Sequence, residues 1–402
     1  MKEGWTYKKL GEVCENLRTG LNPRVHFKLN TENAKGYYVT VRELKGFTFE
    51  VDNKTDRIDE YAIKRINERS NLKVGDVLYS GTGTIGRTAL VQELPTWWNI
   101  KEGVYALTPK HDILDSSFLI YAMHSEDFSK KVLSRTSGAT VRSIPMKELK
   151  EVTMVIPPLC EQQRIVSRLD SAFAHIDERK ANAEKQLSEA RALFQKALTK
   201  AMEPKEGWEK KKMKEIAQVK IGPFGSLLHK RDYISGGIPL VNPIHMIEGK
   251  IVANNDYTIS EEKAKELSAY LLRTNDVIFA RRGEIGRCAI VSSNEDGFLC
   301  GTGSLFVRFK AKVDNAFMQM LFQSEVCKNY LLKSASGATM LNINAGIVEE
   351  MPLTIPPLSE QQRIVSRLDS LSAHVRELEE VLQKTIAECD ALKQALLRQV
   401  FE

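Results

Sequence analysis

Gly81, Gly83 and Gly86 stand in the spacing G-x-G-x-x-G, and a predicted strand at residues 77–80 runs directly into them. A strand followed by such glycines is the arrangement that seats a dinucleotide pyrophosphate on a helix N-terminus. Here the following residues, 87–91, read as strand rather than helix, and the matching stretch later in the chain has Arg281 where Gly81 stands. A tight β-turn, with glycine supplying positive φ, accounts for the spacing instead. The same turns carry Arg87 in one case and Arg281, Arg282 and Arg287 in the other, beside small residues that let a backbone approach a phosphate. Arginine holds phosphate or reads guanine bidentately. Each of these arginines reads equally well as a solvated or ion-paired surface group, and Arg87 and Arg287, at equivalent positions, also read as structural. Thr40, Arg42, Arg142, Asn242, His245 and Asn342 are further side chains able to contact base edges, and they lie in or beside the stretches where the two halves diverge.

No constellation for turnover accompanies them. The chain lacks G-x-x-x-x-G-K-[ST], H-E-x-x-H and G-x-S-x-G, and it lacks the N/D-P-P-Y/F segment of adenine methyltransferases. Its six cysteines are scattered, with no C-x-x-C pair and no histidine at ligand spacing, so neither a disulfide framework nor a metal site is expected. Neither half repeats an acid, base or nucleophile cluster of the other. A non-catalytic chain is the expectation.

The elements that must position these side chains come twice. IPPLCEQQRIVSRLDS at residues 156–171 returns as IPPLSEQQRIVSRLDS at 355–370, an offset of 199, with only Cys160 and Ser359 differing. Trp5 is answered by Trp208, GTIGRTA at 83–89 by GEIGRCA at 283–289, and SGAT at 137–140 by SGAT at 336–339. Between these anchors the halves diverge, most of all at 18–73 compared with 220–272. Two copies that keep one part and vary another are expected to do one job on two targets.

Each globular part reads as α+β. In the first, strands are predicted at 37–41, 77–80, 88–94, 104–108 and 152–156, with a helix at 116–134. The second repeats the order at 277–280, 288–291, 305–309 and 353–355, with a helix near 316–333. After Pro157 and Pro158 the sequence has neither glycine nor proline until Pro204, and apolar residues step by four and three, a heptad pattern. The predicted seam is Ile165, Leu169, Ala172, Ile176, Arg179, Ala183, Leu187, Ala190, Phe194, Ala197 and Ala201 in the first copy. In the second it is Ile364, Leu368, Leu371, Val375, Leu378, Leu382, Ile386 and Cys389. Two successive steps of four, at Arg179–Ala183–Leu187 and Leu378–Leu382–Ile386, predict a stutter at the same repeat position twice.

Proline fits the first turn of a helix but not its interior, so the double proline ends a strand and opens each helix. About 43 residues at ~1.5 Å each give a helix about 65 Å long. Such a narrow seam cannot be buried alone. The first helix delivers the chain to the second globular part and the second helix must return along it, so the pair is expected to be antiparallel; packing of each helix on its own domain is the alternative. The expected architecture is α+β globular parts at 1–155 and 204–354 and long helices at 156–203 and 355–402, forming an antiparallel coiled coil, pseudo-twofold and nearly circular.

With 402 residues, 42% hydrophobic and 27% charged, the chain has the composition of a soluble multidomain protein. No apolar run approaches the ~20 residues that span a bilayer, and residues 1–10 have no hydrophobic signal core, so a cytoplasmic location and no membrane partner are expected. A net charge of +6 permits a polyanionic partner without demanding one.

Taken together, the chain resembles over its whole length the specificity (S) subunit of type I restriction-modification enzymes. The likeness is carried by WTYKKLGE at 5–12, degenerate at 208–215, by GDVLYS at 75–80 followed by G-x-I-G-R, and above all by I-P-P-L-x-E-Q-Q-R-I-V opening a long helix twice. The resemblance implies a DNA-reading subunit with two target recognition domains, each reading one half of a split, asymmetric double-stranded site. It implies helices that hold the domains apart and bind two modification subunits, which methylate adenine using S-adenosylmethionine. Restriction subunits using ATP and Mg²⁺ would join that assembly, and no cofactor is expected in this chain. By motif, Glu161, Gln162, Gln163 and Arg164, with Glu360, Gln361, Gln362 and Arg363, map to subunit docking. A stiff rod is also a ruler: four inserted residues lengthen a helix by about 6 Å, close to two base steps of ~3.4 Å. Two other readings stay open at this stage, a self-sufficient methyltransferase or nuclease and a coiled-coil scaffold without nucleic acid.

Overall fold

The computed structural model describes residues 4–24, 26–138, 140–335 and 342–401. Two mixed α/β domains are joined by two long helices with extensive mutual contact, and the chain divides into two compact units, Met1–Glu184 with Gln383–Glu402, and Lys185–Leu382. Each unit therefore contains half of both helices.

In the first unit the main sheet is antiparallel, in the order Cys14–Thr19, Val104–Pro109, Val77–Ser80, Thr88–Leu90. Val77–Ser80 is wholly buried because strands flank it on both edges and its faces meet two apolar clusters. A smaller sheet sets Gly36–Val39 between Arg57–Ile58 and Trp98–Ile100, the latter pairing parallel. Thr6–Lys9 pairs antiparallel with Thr153–Ile156, the strand that leads into the first long helix. The helix predicted at 116–134 is two, Ser116–Met123 and Glu126–Leu133. Ser125 breaks it: its side chain accepts the Phe128 N–H at 3.2 Å as an N-cap, ending one helix and starting the next.

The second unit repeats this plan with Ala217–Ile221, Ser304–Phe309, Val277–Ala280 and Cys288–Ile290. Its smaller sheet runs Tyr233–Ile234, Thr258–Ile259, Ile238–Val241, Leu299–Cys300, again with a parallel last pair, and it adds a hairpin, Met246–Ile247 with Lys250–Ile251. Its helices are Asn315–Gln323 and Glu325–Ser334, broken at Ser324.

Each main sheet holds one buried carboxylate. Asp76 is paired with Arg18 at 2.8 Å, and Asp276 with Arg308 at 2.6 Å. The arginine comes from the edge strand Cys14–Thr19 in one unit and from the neighbouring Ser304–Phe309 in the other. The requirement for a buried counter-charge is kept while its source strand changes.

The long helices are Leu159–Ala201 and Leu358–Phe401, each starting directly after its proline pair. In the first unit Leu396, Val400 and Phe401 pack on the same core as Trp5 and Leu10, with Phe401 5.3 Å from the Phe118 ring. In the second, Leu198 and Met202 share a core with Ile364 and Leu368. Within the first unit Asp177 pairs with Lys393 and Lys180 with Asp390, so partner numbers fall as helix numbers rise and the helices are antiparallel. Leu169, Ile176, Ala183 and Ala190 are buried at intervals of seven, and Leu368, Leu382 and Cys389 answer them. Leu378 is 43% exposed, and the half-buried positions beside it are Glu379 and, in the first copy, Lys180. With Lys180 and Glu379 at the seam, the two successive steps of four fall at Ala172–Ile176–Lys180 and Leu371–Val375–Glu379, one heptad before the predicted stutter. A long charged side chain tolerates a seam position because its stem packs while its head group leaves. None of the described helices is long and apolar enough to cross a membrane.

Candidate nucleic-acid interface

The glycine turn after the central strand is a β-turn. Gly83 and Gly86 have φ of +79° and +97°, Gly283 and Gly286 have +79° and +92°, and Thr88–Leu90 beyond the first turn is strand. Arg87 Nη1 donates to the carbonyls of Val41 at 3.3 Å and Arg42 at 3.4 Å. Arg287 Nη1 donates to the Pro243 carbonyl at 3.1 Å and its guanidinium pairs with Glu284. Both arginines tie the turn to the loop that leaves the central strand of the smaller sheet, which is the structural role open to them from sequence.

In the first unit that loop is built around Glu43, which is 2% exposed. The Thr40 hydroxyl and N–H donate to its Oε2 at 2.7 and 2.8 Å, and Arg42 Nε donates to Oε1 at 2.8 Å. Burial opposes ionisation of Glu43, but these hydrogen bonds together outweigh it and hold the carboxyl below its usual range. Arg42 Nη2 also reaches Asp52 and Thr55, both at 3.1 Å. Thr40 and Arg42 are brought together, and both are engaged in shaping the loop.

The second unit builds the equivalent loop differently. His245 is 4% exposed, with its ring 5.2 Å from that of Tyr257. Its Nδ1 lies 2.8 Å from the Leu240 carbonyl and 3.2 Å from the Asn242 nitrogen, and which of the two it bonds depends on the tautomer. Burial pushes the imidazole below its usual pKa, favouring the neutral ring. Asn242 Oδ1 accepts the Gly303 N–H at 3.4 Å. Arg281 is also buried, and its Nε donates to Asn342 Oδ1 at 3.2 Å, which joins two of the candidates.

Two candidates face solvent beside the turns. Arg142 is exposed and its carbonyl accepts the Gly83 N–H at 2.9 Å, next to the bridge between Thr82 and Ser143. Arg282 is exposed on the corresponding bridge, with Asn342. Each unit therefore presents one exposed arginine at the same crossing, carried by opposite sides of it. The second SGAT segment, 336–339, lies outside the described residues, as does Ala139 of the first.

The helix-opening motif divides by face. Glu161 pairs with Arg164 at 2.6 Å and Glu360 with Arg363 at 2.8 Å, while Gln163 and Gln362 are exposed. The Arg363 hydrogen bond holds the Glu360 carboxyl below its usual range. Gln162, by contrast, is fully buried. Its Nε2 donates to the carbonyls of Ile113 and Pro157, both at 2.8 Å, and its Oε1 accepts the Asp115 N–H at 2.9 Å. Gln361 repeats this with Pro356 and Asp314, each at 2.8 Å. Asp115 and Asp314 are the N-caps of Ser116–Met123 and Asn315–Gln323, so each glutamine clamps the start of a long helix to the start of a domain helix. The motif alone assigns these glutamines to the docking surface, and the structure buries both. The signal against it was their spacing: Gln162 stands seven residues before Leu169 and three before Ile165, on the apolar face.

Residues 2–188 and 205–388 match the family described as type I restriction modification DNA specificity domain. The chain belongs to that family. It is 23% identical over 339 residues to the type I restriction enzyme EcoKI specificity subunit of Escherichia coli K12, covering 80% of this chain and 72% of that one. It is 24% identical over 418 residues to the MjaIX specificity subunit of Methanocaldococcus jannaschii, covering 98% and 91%. Among solved structures, the HsdS subunit from Thermoanaerobacter tengcongensis matches with a TM-score of 0.55 at 17% identity, over 100% of this chain and 97% of that one. A chain from a structural study of assembly and conformational transition in the type I R-M system matches with a TM-score of 0.76 at 17% identity, over 100% and 98%. As a specificity subunit, the chain has a non-catalytic, DNA-recognising role in a type I restriction-modification system.

Proposed function

We propose that residues 1–155 and 204–354 are two target recognition domains, each reading one half of a bipartite, asymmetric double-stranded site. In this reading the helices at 156–203 and 355–402 set the distance between half-sites and dock two adenine-methylating modification subunits. S-adenosylmethionine is then bound by those subunits, and ATP and Mg²⁺ by restriction subunits that join them. The observation that carries the proposal is one scaffold with two different loops. Asp76 and Asp276, Gln162 and Gln361, and Arg87 and Arg287 recur in matching roles, while the loop each arginine holds is centred on Glu43 in one copy and His245 in the other. Conserved supports with divergent loops suit base readout, where phosphate contacts position and loop side chains specify. Docking falls to the exposed Gln163, Arg164, Gln362 and Arg363 of the helix openings, with the half-buried Glu161 and Glu360 that pair with the arginines, and with Gln162 and Gln361 setting the angle at which they are presented.

Replacing residues 8–151 with the equivalent region of a relative tests this in the assembled methyltransferase. Mapping methylated adenines should show one half-site changed and the other kept. Change in both half-sites, or in neither, would refute independent reading.

A further inference from the structure

Lys180 Nζ meets the Asp390 carboxylate at 2.7 Å in one unit, and Arg191 Nε meets Glu379 at 2.8 Å in the other. Moved by the repeat offset of 199, position 180 becomes 379 and position 191 becomes 390. The two ion pairs therefore occupy the same two repeat positions with their charges exchanged. The first helix is cationic at both positions and the second is anionic at both.

That exchange matters because the apolar seam does not discriminate. Ile165, Leu169, Ile176 and Ala183 are answered in the second copy by Ile364, Leu368, Val375 and Leu382, so burial alone allows a helix to pair with its own kind. Charge does not allow it. Two first helices in this register would set Lys180 against Arg191 twice. Two second helices would set Glu379 against Asp390 twice, and also Arg376 against Lys393, whose native partner is Asp177. Lys180 and Glu379 hold the inner, partly buried position, with side chains 28% and 23% exposed, where a wrong partner is hardest to avoid.

We propose that this exchanged charge pattern is a pairing code, which selects the first helix against the second and rejects a second copy of the chain joined through like helices. Closure within one chain then follows from the high effective concentration of the tethered partner. Each exposed pair is weak on its own, so the effect lies in the sign change between right and wrong partners at several contacts at once.

The test keeps the full chain and its net charge. The double variant Lys180→Glu/Glu379→Lys makes the 180–390 and 191–379 native contacts repulsive and the 180–191 and 379–390 like-helix contacts attractive, leaving Lys393 and its partners unchanged. The quadruple variant Lys180→Glu/Arg191→Glu/Glu379→Lys/Asp390→Lys restores attraction between unlike helices. Light-scattering mass is measured against protein concentration at low and high salt. The native chain and the quadruple variant should have the mass of one chain. The double variant should form a defined dimer, with a dissociation constant tighter by roughly tenfold or more at low salt, the difference shrinking near 1 M salt where the Debye length is about 3 Å. A double variant that forms no defined dimer overturns the proposal. So does a quadruple variant that fails to return to the mass of one chain.

Discussion

The Tyr105 ring lies over residue 81 so closely that a Cβ on Gly81 would stand 2.2 Å from its Cε2. The second copy resolves the same crossing differently: Leu305 replaces the ring, and Arg281 carries a side chain while its N–H still donates to Gly303, as that of Gly81 does to Gly103. The two positions change together because only one of them can fill the space. Gly81→Ala is expected to cost about 1–3 kcal/mol by overpacking. Tyr105→Leu carries its own cost, since the phenol donates to the Ile144 carbonyl at 2.7 Å. The double variant should be more stable than the sum of the two costs predicts, and urea unfolding of all four chains measures the coupling. Strict additivity would mean the ring yields without strain.

Gln162 and Gln163 are adjacent members of one motif with opposite fates. Gln162→Ala removes a fully buried amide and leaves the Ile113 and Pro157 carbonyls and the Asp115 N–H without it, an expected loss of about 2–4 kcal/mol. Gln163→Ala, at an exposed position, should stay within about 0.5 kcal/mol. Their effects on assembly should be reversed: Gln163→Ala weakens binding of the modification subunit without changing the denaturation midpoint. Equal destabilisation by the two substitutions would contradict the clamp.

The repeat, the buried strand at 77–80 and the helix starts after the proline pairs were legible because each is written locally, in identity, β-branching or a ring that blocks the helix interior. What was not legible depends on groups far apart in the chain. No periodicity shows that the Gln162 amide has carbonyls of two other segments to bind, or that the ring of His245 packs on Tyr257. In sequence the break at Ser125 shows only as a serine ahead of the acidic pair Glu126 and Asp127. Its capping role appears once the Phe128 N–H is seen to need a partner. The sequence pattern puts the seam one residue away, at Leu378, because leucine is the more apolar of two neighbours. The antiparallel partner Arg191 decides for Glu379, and no single-helix pattern contains it.

Two carboxyls should give pH slopes of opposite sign. Burial raises the pKa of Asp76, outweighing bonds from the Thr108 hydroxyl, the Lys73 N–H and Arg18. The folded chain therefore holds that proton more tightly than the unfolded one, whose Asp titrates near ~3.9. Its contribution is full below that value and is lost as pH rises through the folded pKa, so the gap between native and Asp76→Asn stability should widen on acidification. Glu350 is pulled down to about 2 by hydrogen bonds from Lys212 and Lys214. Its contribution is present above the ordinary Glu range and fades as pH falls toward 2, so the gap to Glu350→Gln should narrow on acidification. Denaturation midpoints between pH 3 and 7 decide both, and slopes of equal sign would exclude this account. At neutral pH, Arg18→Met leaves Asp76 buried without its cation, an expected loss of about 3–5 kcal/mol.

Four arginines in and beside the turns, Arg87, Arg287, Arg142 and Arg282, should separate into supports and readers. Arg87 and Arg287 donate to carbonyls of the loops they hold, so Arg87→Ala and Arg287→Ala are expected to lower stability and to blur recognition of one half-site each. Arg142 and Arg282 are exposed at equivalent crossings, and their substitution by alanine should leave the unfolding midpoint within about 0.5 kcal/mol of native. If they neutralise phosphates, each loss weakens binding of the assembled methyltransferase to all sequences alike and reduces the slope of log affinity against log salt by about 1. If instead either reads a base, binding falls only for sites carrying the cognate base in that domain's half, by about 1–3 kcal/mol, with little change in slope. Titration at several salt concentrations, with cognate and half-site-scrambled duplexes, distinguishes the two roles. Unchanged binding to both duplexes after both substitutions would move the interface away from these crossings and leave the loops at Glu43 and His245 as the surfaces to probe.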